Sequence, residues 1–91
     1  MKYFAAIQSV LDAGKMPPLQ QAHVQYLEKM VAEGKICIRG KFLDGTGGLS
    51  IYQAESIEEA RQWAENDPYV KGGVRRLELH EWNMTPRESP G

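Results

Sequence analysis

Apolar and polar residues along the chain alternate first with a period of two, then of three to four, then of two again. Lys2 to Ser9 reads as a strand: Tyr3, Ala5 and Ile7 alternate with Phe4 and Ala6, so both faces are largely apolar. Such a strand suits the centre of a sheet buried on two sides. Asp12 to Lys15 reads as a loop, and Pro17 and Pro18 fit the entry of a helix, where a missing N–H is harmless. The spacing of Tyr26, Leu27, Met30 and Val31 predicts a helix from about Leu19 to Glu33, closed by Gly34. His23 stands four residues before Leu27 and seven before Met30, on or beside the buried stripe.

Lys35 to Lys41 is the second predicted strand, with Ile36 and Ile38 opposing Cys37 and Arg39. Phe42 to Gly48 carries Asp-Gly and Gly-Gly pairs and predicts a hairpin turn into a third strand, Leu49 to Ala54. Ser56-Ile57-Glu58-Glu59 has the form of a capping box, which starts a second helix with Ile57, Ala60, Trp63 and Ala64 on its apolar stripe. Pro68 disfavours a helical conformation at Asp67, so that helix stops in a fixed bend, and Gly72-Gly73 turns the chain into a last strand, Val74 to Trp82. The order β-α-β-β-α-β is that of an α+β, ferredoxin-like sandwich, with both helices on one face of a four-stranded antiparallel sheet. Ile36, Ile38, Leu49, Ile51, Leu77 and Leu79 are expected on the helix side. Phe4, Cys37, Arg39, Tyr52, His80 and Trp82 are expected on the other, a face too aromatic to stay wet, which predicts a homodimer through the sheet. Residues 1–82 are expected to form one domain and residues 83–91 a flexible tail.

Length and charge narrow the choice of function. At 91 residues the chain holds one small domain, which buries only about 60–65% of its unfolded surface and gains from association. A net charge of -1 with scattered signs lacks the basic footprint of a nucleic-acid binder. No apolar run approaches a membrane span, and the N-terminal stretch has no signal-peptide core. The single cysteine, Cys37, excludes an intrachain disulfide and points to the cytoplasm. The two histidines form no ligand cluster, so neither metal nor cofactor is expected.

The bend at Asp67 can aim a carboxylate back into the protein, and His23 is its natural partner. A carboxylate on one imidazole nitrogen sets the tautomer and steadies the imidazolium, which suffices for proton transfer without a cofactor. Both residues also have purely structural readings, His23 as a core residue and Asp67 as a cap of the bend. Asp44 is foremost a turn residue, yet the loop from Asp44 through Gly47 and Gly48 has backbone N–H groups to offer an anion. Tyr69 is expected to pack near the site with its hydroxyl available.

Several segments together resemble the YCII-related (YciI-like) family over nearly all of residues 1–82. They are Met1-Lys2-Tyr3-Phe4-Ala5, His23-Val24-Gln25-Tyr26-Leu27, Gly40 to Leu49, Ala54 to Ala60, and Asn66-Asp67-Pro68-Tyr69-Val70-Lys71-Gly72-Gly73. The resemblance implies a dimeric α+β barrel with His23 and Asp67 as the catalytic pair. It also implies relatives such as a dehydrochlorinase of a chlorinated hydroxymuconate, and a fold similar to muconolactone isomerase. Arg39-Gly40-Lys41 replaces the family's usual Ala-Gly-Pro, which favours an anionic ligand. Two functions follow: a small lyase or isomerase acting on an anionic unsaturated metabolite, with Arg39, Asp44, Gly47, Gly48 and Tyr69 binding it, or a non-catalytic ligand-binding or regulatory dimer on the same scaffold.

Overall fold

The computed structural model describes residues 1–85; the expectation of a frayed tail falls mainly on residues outside these. The elements are β1 (Lys2–Val10), a 3-10 turn (Ala13–Lys15), α1 (Pro17–Ala32), β2 (Ile36–Lys41), β3 (Gly47–Ala54), α2 (Ile57–Glu65), α3 (Pro68–Lys71) and β4 (Arg75–Trp82). The strands form one antiparallel sheet in the order β2-β3-β1-β4, so the expected α+β fold with a four-stranded antiparallel sheet is what the chain adopts. The short helix α3 was not foreseen; it fills the bend at Pro68, where Pro is tolerated because it occupies the first helical position. None of the described helices is long and apolar enough to cross a membrane.

Partners across an antiparallel ladder share a face, so the register assigns each side chain to a side. Phe4 pairs with Tyr52 and Ala6 with both Ser50 and Leu79, and this phase faces the helices. The core is built there: Phe4, Ala6, Ile36, Tyr52 and Ala54 from the sheet pack with Leu27 and Met30 of α1 and with Ala60 and Ala64 of α2. Val31, by contrast, is exposed, since it stands past the edge of the stripe set by His23, Leu27 and Met30.

The expected division of the sheet's two faces needs correction. Phe4 and Tyr52 lie inside the core rather than on the far face, whereas Ile38, Leu49 and Ile51 lie on the far face rather than against the helices. For β1 and β3 the reason is that both phases are apolar, so alternation alone could not orient them. For β2 the reason is a bulge at Cys37: Ile36 pairs with Tyr52, but Ile38 pairs with the adjacent Ile51. One extra residue reverses the phase of everything after it. Arg39, paired with Ser50, therefore points to the helix side and not away from it, as does Lys41, paired with Gly48. The far face keeps Ile38, which is 65% exposed, together with Ile7, Leu49, Ile51, His80 and Trp82.

Helix α2 starts as the sequence predicts. Ser56 Oγ accepts from Glu59 N at 3.2 Å, and Glu59 Oε1 accepts in return from Glu55 N at 3.1 Å, one residue before the cap. Ser56→Ala should therefore destabilise the protein by about 0.5–2 kcal/mol, read as a lower urea midpoint at unchanged slope. Coincident midpoints would show that the cap adds nothing.

Candidate functional site

At one end of the sheet, the residues facing the helices change from apolar to polar in all four strands. In β1, Phe4 and Ala6 give way to Gln8; in β4, Leu79 and Leu77 give way to Arg75. In β3, Tyr52 is followed towards the hairpin by Ser50 and Gly48; in β2, Ile36 is followed by Arg39 and Lys41. The apolar core stops here, and a cleft of about 290 Å³ opens above this floor, with His23, Val24 and Leu27 of α1 and Tyr69 of α3 in its walls.

Asp67 is fully buried and anchors the site. Its Oδ1 lies 2.7 Å from His23 Nδ1 and accepts from Tyr69 N at 3.0 Å, while its Oδ2 accepts from Gln8 Nε2 at 2.8 Å. Three elements thus converge on one carboxylate. The Tyr69 contact is the N-cap of α3, so the carboxylate caps the bend and holds the histidine together. With the carboxylate as acceptor, Nδ1 carries the imidazole proton and Nε2 keeps the lone pair. The Tyr69 ring stacks on His23 with centroids 4.0 Å apart and planes 18° apart, which fixes the imidazole's tilt as the hydrogen bond fixes its rotation.

Gln8 extends this network. Its Oε1 accepts from Arg75 Nη1 at 3.1 Å while its Nε2 faces Asp67, so the amide joins a cation to an anion in the only orientation both permit. The Arg75 guanidinium also sits 4.6 Å from the centroid of Tyr69. Gly47 explains how β1 and the hairpin come so close: a Cβ there would fall 1.8 Å from the Gln8 carbonyl oxygen, and its φ of 154° is glycine territory.

The other predicted residues divide. Arg39, Gly48 and Tyr69 line the cleft. Gly47 lines an adjoining depression shared by Lys41, Tyr69 and Arg75. Asp44 lines neither, which corrects its place among the binding residues: it is exposed, and its Oδ1 is taken by Thr46 Oγ1 at 2.6 Å and Thr46 N at 3.0 Å. The hydrogen bond from the Thr46 hydroxyl, then that from its backbone, holds the Asp44 carboxyl below the usual range. Tyr26 does not close the cleft either; its hydroxyl donates to Trp63 O at 2.6 Å elsewhere in the fold. Burial, and then the charge of Asp67, raises the Tyr26 phenol; burial, then Tyr26 and Asp67, raises that of Tyr52. Neither phenol lines the cleft. His80 bonds Glu78 at 2.7 Å on the far face, away from the site.

Gln8 and Arg75 were missed by reading the sequence. A signal existed for Gln8, a polar residue in phase with Phe4 and Ala6 on a strand otherwise apolar on that face. None existed for Arg75, which looks like one of two arginines at a strand end.

A model of the YCII-related domain matches residues 1–83. YjpA of Bacillus subtilis strain 168 is 36% identical over 62 residues, 68% of this chain and 73% of its own length. Protein YciI of Escherichia coli O6:H1 is 32% identical, over 81% of this chain and 87% of that protein. Among solved structures, 5-chloro-2-hydroxyhydroquinone dehydrochlorinase (TftG) of Burkholderia phenoliruptrix AC1100 superposes with a TM-score of 0.76 at 27% identity, over 91% of this chain and 95% of its own. That enzyme is named for a chlorinated aromatic triol, not the ring-opened muconate expected of a relative, and its structure holds 2,5-dihydroxybenzoquinone.

Because Gln8 serves both Asp67 and Arg75, removing its amide strands a buried carboxylate and a half-buried guanidinium at once. Gln8→Leu, similar in volume, should cost about 1–3 kcal/mol in a urea titration. A variant as stable as the wild type would mean that water replaces the amide without loss.

Proposed function

The chain belongs to the YCII-related domain family, and on that footing we propose that it is a small, cofactor-independent acid–base enzyme of lyase or isomerase type, acting on an anionic unsaturated metabolite. The observation that carries this reading is the 2.7 Å contact between His23 Nδ1 and Asp67 Oδ1 in the wall of an open cleft. A histidine that only filled the core would have no such opening beside it.

The chemistry follows from the tautomer. Nε2 takes a proton from an acidic C–H or O–H of the ligand, and the electron pair of the broken bond moves into the ligand's conjugated system. The imidazolium that results is stabilised by Asp67, which need not itself accept the proton. In an isomerisation the proton returns to another atom; in an elimination a leaving group departs with its bonding pair. The named activity of the solved relative, a dehydrochlorination, is an elimination in this sense, and supports the reading. Arg39 at the cleft wall and the floor at Gly48 suit an anion that gains charge delocalisation as the proton leaves.

The ferredoxin-like domain is further proposed to pair through its far face into a dimeric α+β barrel. Ile7, Ile38, Leu49, Ile51 and Trp82 lie together there, and covering them removes an apolar patch from water. The exposed, unpaired Cys37 on β2 suits a reducing, cytoplasmic setting.

Two experiments test these proposals. Turnover should be assayed with 5-chloro-2-hydroxyhydroquinone and a panel of unsaturated carboxylic acids. His23→Ala should lower it by about 10²–10⁴, and Asp67→Asn should lower it by releasing the tautomer. Undiminished turnover in His23→Ala removes the base from the mechanism; binding without turnover in the wild type favours the non-catalytic module. For the dimer, sedimentation at micromolar concentration should give two chains in the wild type, consistent with an interface above about 1,000 Å², and one chain in Ile38→Lys. A monomeric wild type would overturn the pairing.

A further inference from the structure

Proton transfer at His23, with Arg39 set towards the anion, leaves Lys41 and Arg75 of the cleft without a task. Arg39 and Lys41 take part in no ion pair among the described residues. Among the described residues, Arg75 donates from Nη1 only to an uncharged amide, Gln8 Oε1 at 3.1 Å, and its Nε is buried with no hydrogen-bond partner. A buried guanidinium nitrogen without an acceptor is costly, so its retention in a cleft wall calls for a role.

Geometry suggests which. His23 and Arg75 both pack against the one Tyr69 ring, at 4.0 Å and 4.6 Å from its centroid, and both line the cleft. The floor beside Arg75 has no side chain: a Cβ on Gly48 would come 3.6 Å from Nη1. Gln8 secures the Nη1 side of the guanidinium, which leaves Nε, part of the planar fork that meets an acidic oxygen edge-on. Lys41, on the same face of the sheet, adds a second positive charge.

Building on the proton-transfer reading, we infer that Arg75, assisted by Lys41, is the specificity-determining residue of the cleft. The substrate it selects is a small flat molecule with two acidic oxygens, one presented to His23 and the other gripped by Arg75. Arg39 completes the positive rim on the opposite side of the floor.

Calorimetric titration of the full-length chain tests this with 2,5-dihydroxybenzoquinone, a vinylogous acid at both oxygens, against 2,5-dimethoxybenzoquinone, which has the same ring and no acidic oxygen. The wild type should prefer the dihydroxy compound by at least about tenfold, and salt should shrink that preference. Arg75→Met should erase most of it, and Arg75→Lys, which keeps the charge without the fork, should keep only part. His23→Asn should keep the part of the preference that Arg75 supplies, which separates this proposal from the base: lost turnover with a preference that Arg75→Met lowers further supports Arg75 whatever becomes of the mechanism. Equal affinity for the two compounds, no binding of the dihydroxy compound at millimolar concentration, or an undiminished preference in folded Arg75→Met overturns it. Should Arg75→Met fail to fold, a preference insensitive to salt or fully retained in Arg75→Lys is equally decisive against it.

Discussion

A carboxylate with no solvent exposure must find its donors inside the protein, and Asp67 finds them on three separate elements. Stranding a buried charge costs several kcal/mol, so the carboxylate constrains where α1, α3 and β1 can sit relative to one another. His23 is held against the sheet end by this contact, α3 begins where its first free N–H meets the carboxylate, and Gln8 is drawn from the sheet into the same cluster. The site is therefore more than a pair of side chains placed on a finished scaffold. The same three contacts that hold the imidazole also join the helical layer to the sheet at the end where the apolar core has run out.

The floor follows the same economy of parts. A ferredoxin-like or any other helix-on-sheet domain needs apolar residues only under its helices. Here the inward-facing positions stay apolar beneath α2 and turn polar beneath the start of α1, so one sheet serves as core at one end and as the floor of the cleft at the other. Glycine matters at that transition. Gly47 lets the hairpin backbone approach the Gln8 carbonyl, and the small residues beside it leave the cleft room for a ring.

Much of this was legible in the amino-acid sequence, for identifiable reasons. Helix starts were readable from Ser56 and the paired prolines because caps and Pro act locally. The His23–Asp67 encounter could be anticipated because a stripe position on one helix faced a fixed bend after another. The two faces of the sheet were not readable, since Phe4 and Ile7, or Tyr52 and Ile51, are equally apolar and a period of two has no preferred phase without a polar partner. Nor was the role of Arg75, which depends on a hydrogen bond to a residue 67 positions away. The turn residue Asp44 looked chemical only because Asp-Gly loops can present N–H groups; Thr46, two residues on, absorbs it locally.

The bulge at Cys37 has a consequence for how relatives can diverge. Ordinarily, point substitutions alter a ligand pocket and an association surface independently. Here the positive rim of the cleft and the apolar far face lie on opposite sides of the same short edge strand, downstream of one surplus residue. Deleting that residue would leave Ile38 opposite Ile51 and change nothing downstream, whereas keeping it and pairing it regularly with Ile51 would exchange the two in one step: Ile38 and Gly40 would turn towards the cleft, while Arg39 and Lys41 would move onto the apolar face. A relative that kept the residue and lost the bulge would give up the positive rim of the cleft and the apolar far face together, so the register at this point couples the charge of the cleft to the character of the opposite face.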